Sequence, residues 1–219
     1  MAKASGGTRA SGPAPSMAAM TYEQQVDNAL SGLKGEFFEK MDDFYNGQWE
    51  RWQERYADFK EKDDYIYQGA SSISATEADR REQEIYGKDF KPYNRHYERE
   101  RKLRDDYSDL VAGGYYEKDA KAPSFYDIKK GRADIGDAEK AVRATSRRNA
   151  EKKFEQVRDK MMKTTLEKGL DTKNARVRSV GGDGFLITDG KVTLHARYVL
   201  AWGEIKAPHF RFIITDRKG

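Results

Sequence analysis

Two of the chain's three histidines stand in matching triplets near the C-terminus, His195-Ala196-Arg197 and His209-Phe210-Arg211. Imidazole and guanidinium together suit phosphodiester chemistry. A neutral imidazole can take the proton of a ribose 2′-hydroxyl, and a protonated one can give a proton to the leaving oxygen. Guanidiniums grip a phosphate through paired hydrogen bonds and offset charge that builds on its oxygens. His195 and His209 are therefore the expected acid/base pair, in either order. Arg197 and Arg211 are the expected phosphate holders. This chemistry calls for no metal and no cofactor, and none is expected. With no cysteine in the chain, disulfides and thiolate metal sites are excluded.

Such a pair works only if both rings share one surface. From Ala175 onward the apolar pattern changes from helical to alternating, which predicts strands over about 175–180, 185–188, 191–201 and 209–216. Asp189-Gly190 signals a two-residue hairpin turn. That turn pairs Thr188 with Lys191, so Ile187 faces Val192 and Phe185 faces Leu194. Ala196, Tyr198 and Leu200 continue the same face, since side chains alternate along a strand. Phe210, Phe212 and Ile214 are the apolar alternates of the last strand. A continuous apolar face then leaves His195, Arg197, His209 and Arg211 on the other side. Arg176, Arg178, Lys191 and Thr215 join them as expected nucleic-acid contacts. A bulge near Gly203 would break this parity.

The segments upstream must support the sheet. Thr21-Tyr22-Glu23-Gln24 fits a capping box. After it, Val26, Leu30, Leu33, Phe37, Met41, Phe44, Trp49, Trp52, Tyr56 and Phe59 recur at helical spacing. This predicts one long helix, or two broken near Gly32–Gly35. The aromatic stripe reads as a core seam rather than a partner groove. Thr76 is expected to cap a second helix and Pro92 to interrupt it. A third runs through Tyr97, Leu103 and Tyr107 to Gly113-Gly114, with His96 as a surface residue. Ser124 caps a short helix that Gly131 stops, and a final helix runs from Asp137 to Gly169. The fold class is thus α+β: long amphipathic helices followed by a small C-terminal four-stranded antiparallel sheet. The expected organisation is a disordered tail over 1–20, a helical module over 21–135, and a helix plus sheet over 136–219.

Charge points the same way. The net charge is +4. Residues 173–219 carry +5 and the remainder −1. An anionic partner is therefore expected at the sheet. No run approaches the roughly 18 apolar residues of a membrane span, and the N-terminal stretch lacks the core of a secretion signal. The expected setting is cytoplasmic, or the virion if the chain is phage-encoded. GGDG at 181–184 lacks the Lys-Ser/Thr of a phosphate-binding loop.

A helical segment followed by a four-stranded sheet with His and Arg on its open face resembles the toxin-type RNases of the barnase–EndoU–colicin–RelE class. The resemblance covers about residues 137–219 and is one of layout. It implies metal-independent RNA cleavage. The segment from His195 to Phe212 also resembles terminal segments of small proteins encoded by bacteriophages and mobile elements of gut bacteria. The leading expectation is a metal-independent ribonuclease. Its rivals are a non-enzymatic oligomeric structural or interaction protein of a phage or mobile element, self-associating through its aromatic helices, and a protein that binds nucleic acid without cutting it.

Overall fold

The computed structural model describes residues 20–67, 73–87, 95–112, 116–180, 184–201 and 209–216, with backbone alone for 198–201 and 209. The architecture is α+β. The helices are α1 (Tyr22–Tyr67), α2 (Ala75–Tyr86), α3 (Arg95–Ala112), α4 (Phe125–Lys129) and α5 (Ile135–Glu167). The strands are β1 (Arg176–Ser179), β2 (Gly184–Thr188), β3 (Thr193–Ala201) and β4 (His209–Asp216), which form one sheet in the order β1-β2-β3-β4. The expected tail over 1–20 lies outside the described residues except for Met20. So do Pro92, Gly113-Gly114 and Gly203.

The predicted capping box opens α1. Gln24 N–H donates to Thr21 Oγ1 at 3.2 Å, and Thr21 N–H donates to Gln24 Oε1 at 2.9 Å. The helix then runs unbroken for 46 residues. Gly32 and Gly35 do not interrupt it; both are exposed. Their cost is propensity alone, about 1 kcal/mol each, and the apolar residues on the opposite side outweigh it. Ser74, not Thr76, caps α2: its side chain accepts from Glu77 N–H. Gly87, at φ 89°, follows α2 in a backbone conformation that favours glycine.

The chain divides into two compact units. Among the described residues, the first comprises 20–33, 157–180, 184–198 and 212–216, and the second 34–67, 73–87, 95–112, 116–156, 199–201 and 209–211.

In the first unit Val26, Val157, Met161, Val177, Ile187, Leu194 and Ala196 are buried. Strand alternation explains the last four. Ile187 pairs with Leu194, Val177 with Ile187, and Phe185 with Ala196. This register differs by two residues from the expected one, in which Ile187 faced Val192 and Phe185 faced Leu194. The cause is the Asp189 side chain. Its Oδ1 accepts the backbone N–H groups of Lys191 and Val192, both at 2.8 Å. The loop tip therefore moves to Gly190-Lys191, and Thr188 pairs with Thr193. A shift of two keeps every side chain on its predicted face; a shift of one would have reversed them all. The three backbone donors around Asp189, on Val192, Asp171 and Lys191, hold its carboxyl down at about 2.

The outer side of β1 is covered by a side chain. Gln25 of α1 accepts from Val177 N–H at 3.0 Å and donates to Ala175 O at 3.3 Å. One buried amide thus stands in for a neighbouring strand and satisfies two edge groups that would otherwise lack partners.

The second unit is built on aromatic rings. Trp52 is fully buried, stacks on Tyr56 at 5.1 Å, and donates its indole N–H to Leu103 O at 2.9 Å. Tyr107 and Phe125 pack on it from α3 and α4. Further along, Phe37 meets Tyr116, Phe154 and Phe210 edge to face. The stripe read from the sequence is therefore a core seam. Rings supply here the buried area that the sparse aliphatic residues do not.

Candidate nucleic-acid interface

The first unit presents a sheet face whose charged side chains are all basic on β1, β2 and β3. Arg176 and Arg178 project from β1, flanking the buried Val177. The pairing brings Arg178 opposite Leu186, Leu186 opposite His195, and Gly184 opposite Arg197. In an antiparallel pair, residues directly opposite one another share a face. Arg178, Leu186 and His195 therefore form one row across three strands. With strands about 4.8 Å apart, the backbones of Arg178 and His195 lie roughly 10 Å from each other, with Leu186 between them.

His195 is half-buried and Arg197 is exposed. The imidazole lies low over β2. A methyl group added at Gly184 would sit 3.1 Å from His195 Nε2 and 2.7 Å from Ala196 O. Glycine at this position leaves the ring its place on the strand. Thr215 is exposed, and its hydroxyl lies 3.5 Å from His195 O. Thr188 and Thr193 share a hydrogen bond at 3.0 Å beside this row.

Nine of the described arginines meet carboxylates, and the guanidiniums of this face are not among them. Arg55, Arg80, Arg99, Arg143 and Arg158 all meet carboxylates. Arg176, Arg178 and Arg197 meet none among the described residues; Arg176 donates to Ala175 O at 2.9 Å. Three cations on one face without a carboxylate keep their full field for an external anion.

The other sequence candidates fall as follows. Lys191 is exposed at the hairpin tip, where its backbone serves the Asp189 turn. Arg211 is exposed on β4, next to the buried Phe210, and belongs to the second unit. The backbone of His209 lies in β4; its side chain falls outside the described residues. The structure therefore brings together Arg176, Arg178, His195, Arg197 and Thr215.

A second polar cluster, in the second unit, corrects the sequence reading. His96 is not a surface residue: it is 3 % exposed. Its ring stacks on Phe59 at 4.6 Å. Nε2 lies 2.8 Å from Asp63 Oδ1, and Nδ1 lies 3.2 Å from the Tyr86 hydroxyl. Lys129 bridges Asp63 at 3.3 Å and Glu100 at 2.6 Å. Burial alone would raise the Asp63 carboxyl, but the His96 hydrogen bond and the Lys129 charge together hold it below its ordinary value. The sequence did carry a signal. Asp63 continues the Trp52–Tyr56–Phe59 stripe, and His96 precedes Leu103 by two helical turns. A polar residue on each of two apolar stripes is the pattern of a buried hydrogen-bonded pair.

Among the described residues no group of three or more histidine and carboxylate side chains is placed to hold a metal ion, and no helix is long and apolar enough to cross a membrane. Protein-family models, curated proteins and solved structures were compared with the chain, and none matches it.

Proposed function

We propose that the chain acts on RNA through the open face of its sheet and cleaves it without metal. The observation that carries this reading is the set of three carboxylate-free arginines, Arg176, Arg178 and Arg197, around the half-buried imidazole of His195. A polyanion is the partner that such a face recognises, since each phosphate neutralised releases bound counterions.

In the proposed reaction the ribose 2′-oxygen attacks the adjacent phosphorus and the bond to the 5′-oxygen breaks. One imidazole takes the 2′-hydroxyl proton, and a second gives a proton to the departing 5′-oxygen. The products are a 2′,3′-cyclic phosphate and a free 5′-hydroxyl. His195 is one of the two imidazoles. His209 and Arg211 are the candidates of the sequence pattern for the second imidazole and a further phosphate holder. Arg197 faces the phosphate from the strand that carries His195.

Burial of the aromatic stripe weighs against the rival reading of a structural oligomer, whose motive was an apolar seam free to pair. The test is cleavage of single-stranded RNA in EDTA. Wild type is expected to yield cyclic-phosphate ends. His195→Ala and His209→Ala should each lose about 10²–10⁴-fold in rate, the usual contribution of a positioned acid or base. No cleavage by wild type, or equal cleavage by all three proteins, rejects the reading. RNA binding without cleavage would leave a binding protein in its place.

A further inference from the structure

Helix α2 buries one residue, and that residue is a glutamate. Glu82 is 9 % exposed. Its Oε2 has no hydrogen-bond partner among the described residues. The other ties of α2 are polar as well. Arg81 donates to the backbone carbonyls of Tyr65 and Ile66 at the end of α1, at 3.0 and 3.3 Å, and Tyr65 donates to Glu84 at 2.7 Å. Tyr86 reaches His96 from the same helix. An element attached this way has little apolar burial to hold it when its charges change.

The charges facing His96 come from every helix packed around it. Asp63 lies on α1, with Tyr67 beside it at 6.1 Å from the imidazole. Glu82 and Tyr86 lie on α2, Glu100 and Arg99 on α3, and Lys129 on α4. Arg99 also meets Asp58 at 3.5 Å, which balances that pair at the rim. Asp79, on α2, adds a further negative charge beside Glu82. With His96 neutral and the acids ionised, Asp63, Glu82 and Glu100 face the Lys129 ammonium among the described residues. Charge of one sign in a poorly solvated place is costly, and one bound proton reduces it.

We propose that Asp63, Glu82 and His96 form a proton-operated clamp that fastens α2 to α1 and α3. With a proton on the cluster, Glu82 is neutral or faces an imidazolium, and α2 stays docked. When the proton leaves, a buried carboxylate without a partner remains, and α2 loosens.

The direction agrees with the chemistry of Glu82. Burial raises its carboxyl above the ordinary value, against a smaller opposing effect of His96. A carboxyl with a raised folded-state pKa binds its proton more tightly folded than unfolded. Docking is then strongest below the ordinary carboxyl value and weakens as pH rises through the folded one. Asp63, held below its ordinary value, acts oppositely: its contribution is present above the ordinary value and lost as pH falls. The clamp therefore has a pH window with a lower edge set by Asp63 and an upper edge set by Glu82.

The test is hydrogen exchange on the full chain from pH 4 to 8.5, read as protection factors so that intrinsic exchange cancels. Protection of the amides of residues 79–86 should fall at least tenfold with rising pH, while those of residues 142–154 in α5 stay constant. Glu82→Gln keeps the shape and removes the charge, so its α2 protection should stay flat and high. A wild-type α2 with constant protection overturns the proposal, as does a Glu82→Gln variant that follows the wild-type fall. A ring titration of His96 by NMR, taken on both proteins, adds a second readout. Its midpoint should move on Glu82→Gln, and an unmoved midpoint removes Glu82 from the clamp.

Discussion

Trp52→Ala should lower the melting temperature by roughly 10 °C. The ring is fully buried and touches Trp49, Tyr56, Tyr107 and Phe125. Removing it leaves a cavity that four rigid rings cannot close by shifting, since a ring has few rotamers with which to fill space. Truncations of this kind cost about 3–5 kcal/mol. In a chain of this length each kcal/mol moves the midpoint by about 2–4 °C. The measurement is a melt followed by near-ultraviolet circular dichroism. Tyr126→Ala, at an exposed ring, is the control and should stay within about 0.5 kcal/mol of wild type. If Trp52→Ala melted like wild type, the stripe would not be the core of the second unit.

The second large effect concerns charge. Replacing Arg176, Arg178 and Arg197 together with alanine should flatten the salt dependence of RNA binding. Each phosphate neutralised on a single strand contributes about 0.7 to the slope of log affinity against log salt. With three phosphates no longer neutralised, the slope should fall by about 2. Affinity at low salt should fall, and the curves of wild type and variant should converge as salt rises. Fluorescence anisotropy with a 2′-O-methyl oligonucleotide measures this without cleavage. Arg158→Ala is the control, because Arg158 already spends its charge on Asp27 at 2.6 and 3.3 Å. It should leave the slope unchanged. A triple variant with the wild-type slope would remove these arginines from the interface.

Much of this fold was legible in the sequence because two periodicities carried it. The stripe from Val26 to Phe59 repeats at helical spacing over many turns; it predicted helix here, in one piece or two, and most of the buried side, except that Phe44 is half-buried and Tyr45 beside it is buried. In the hairpin, Phe185, Ile187, Leu194 and Ala196 alternate strictly, and each is buried as alternation required. The exact register was not legible. It depends on where the Asp189 carboxylate finds backbone donors, and a dipeptide pattern does not specify that. Parity survived because the displacement was even. The Gln25 cover of β1 was likewise invisible, since it joins residues 152 apart in the chain.

The candidate site divides in the same manner. Arg176, Arg178, His195 and Arg197 followed from alternation, a local rule. The placement of His195 over Gly184 did not, because GGDG reads locally as a turn and nothing more. His96 was misplaced for a related reason. Its neighbours in sequence, Arg95, Tyr97, Glu98 and Arg99, are polar or exposed, and they describe the outer side of α3. Its true environment comes from Asp63, Tyr86 and Lys129, each on another helix.

The most direct measurement is an NMR map of side-chain shifts on adding a non-cleavable 2′-O-methyl RNA oligonucleotide. Shifts should concentrate on the guanidinium resonances of Arg176, Arg178 and Arg197 and on the His195 ring, with Arg158 unmoved. Shifts gathered on helix α1 or α3 instead, or no change at any of these four residues, would contradict the account.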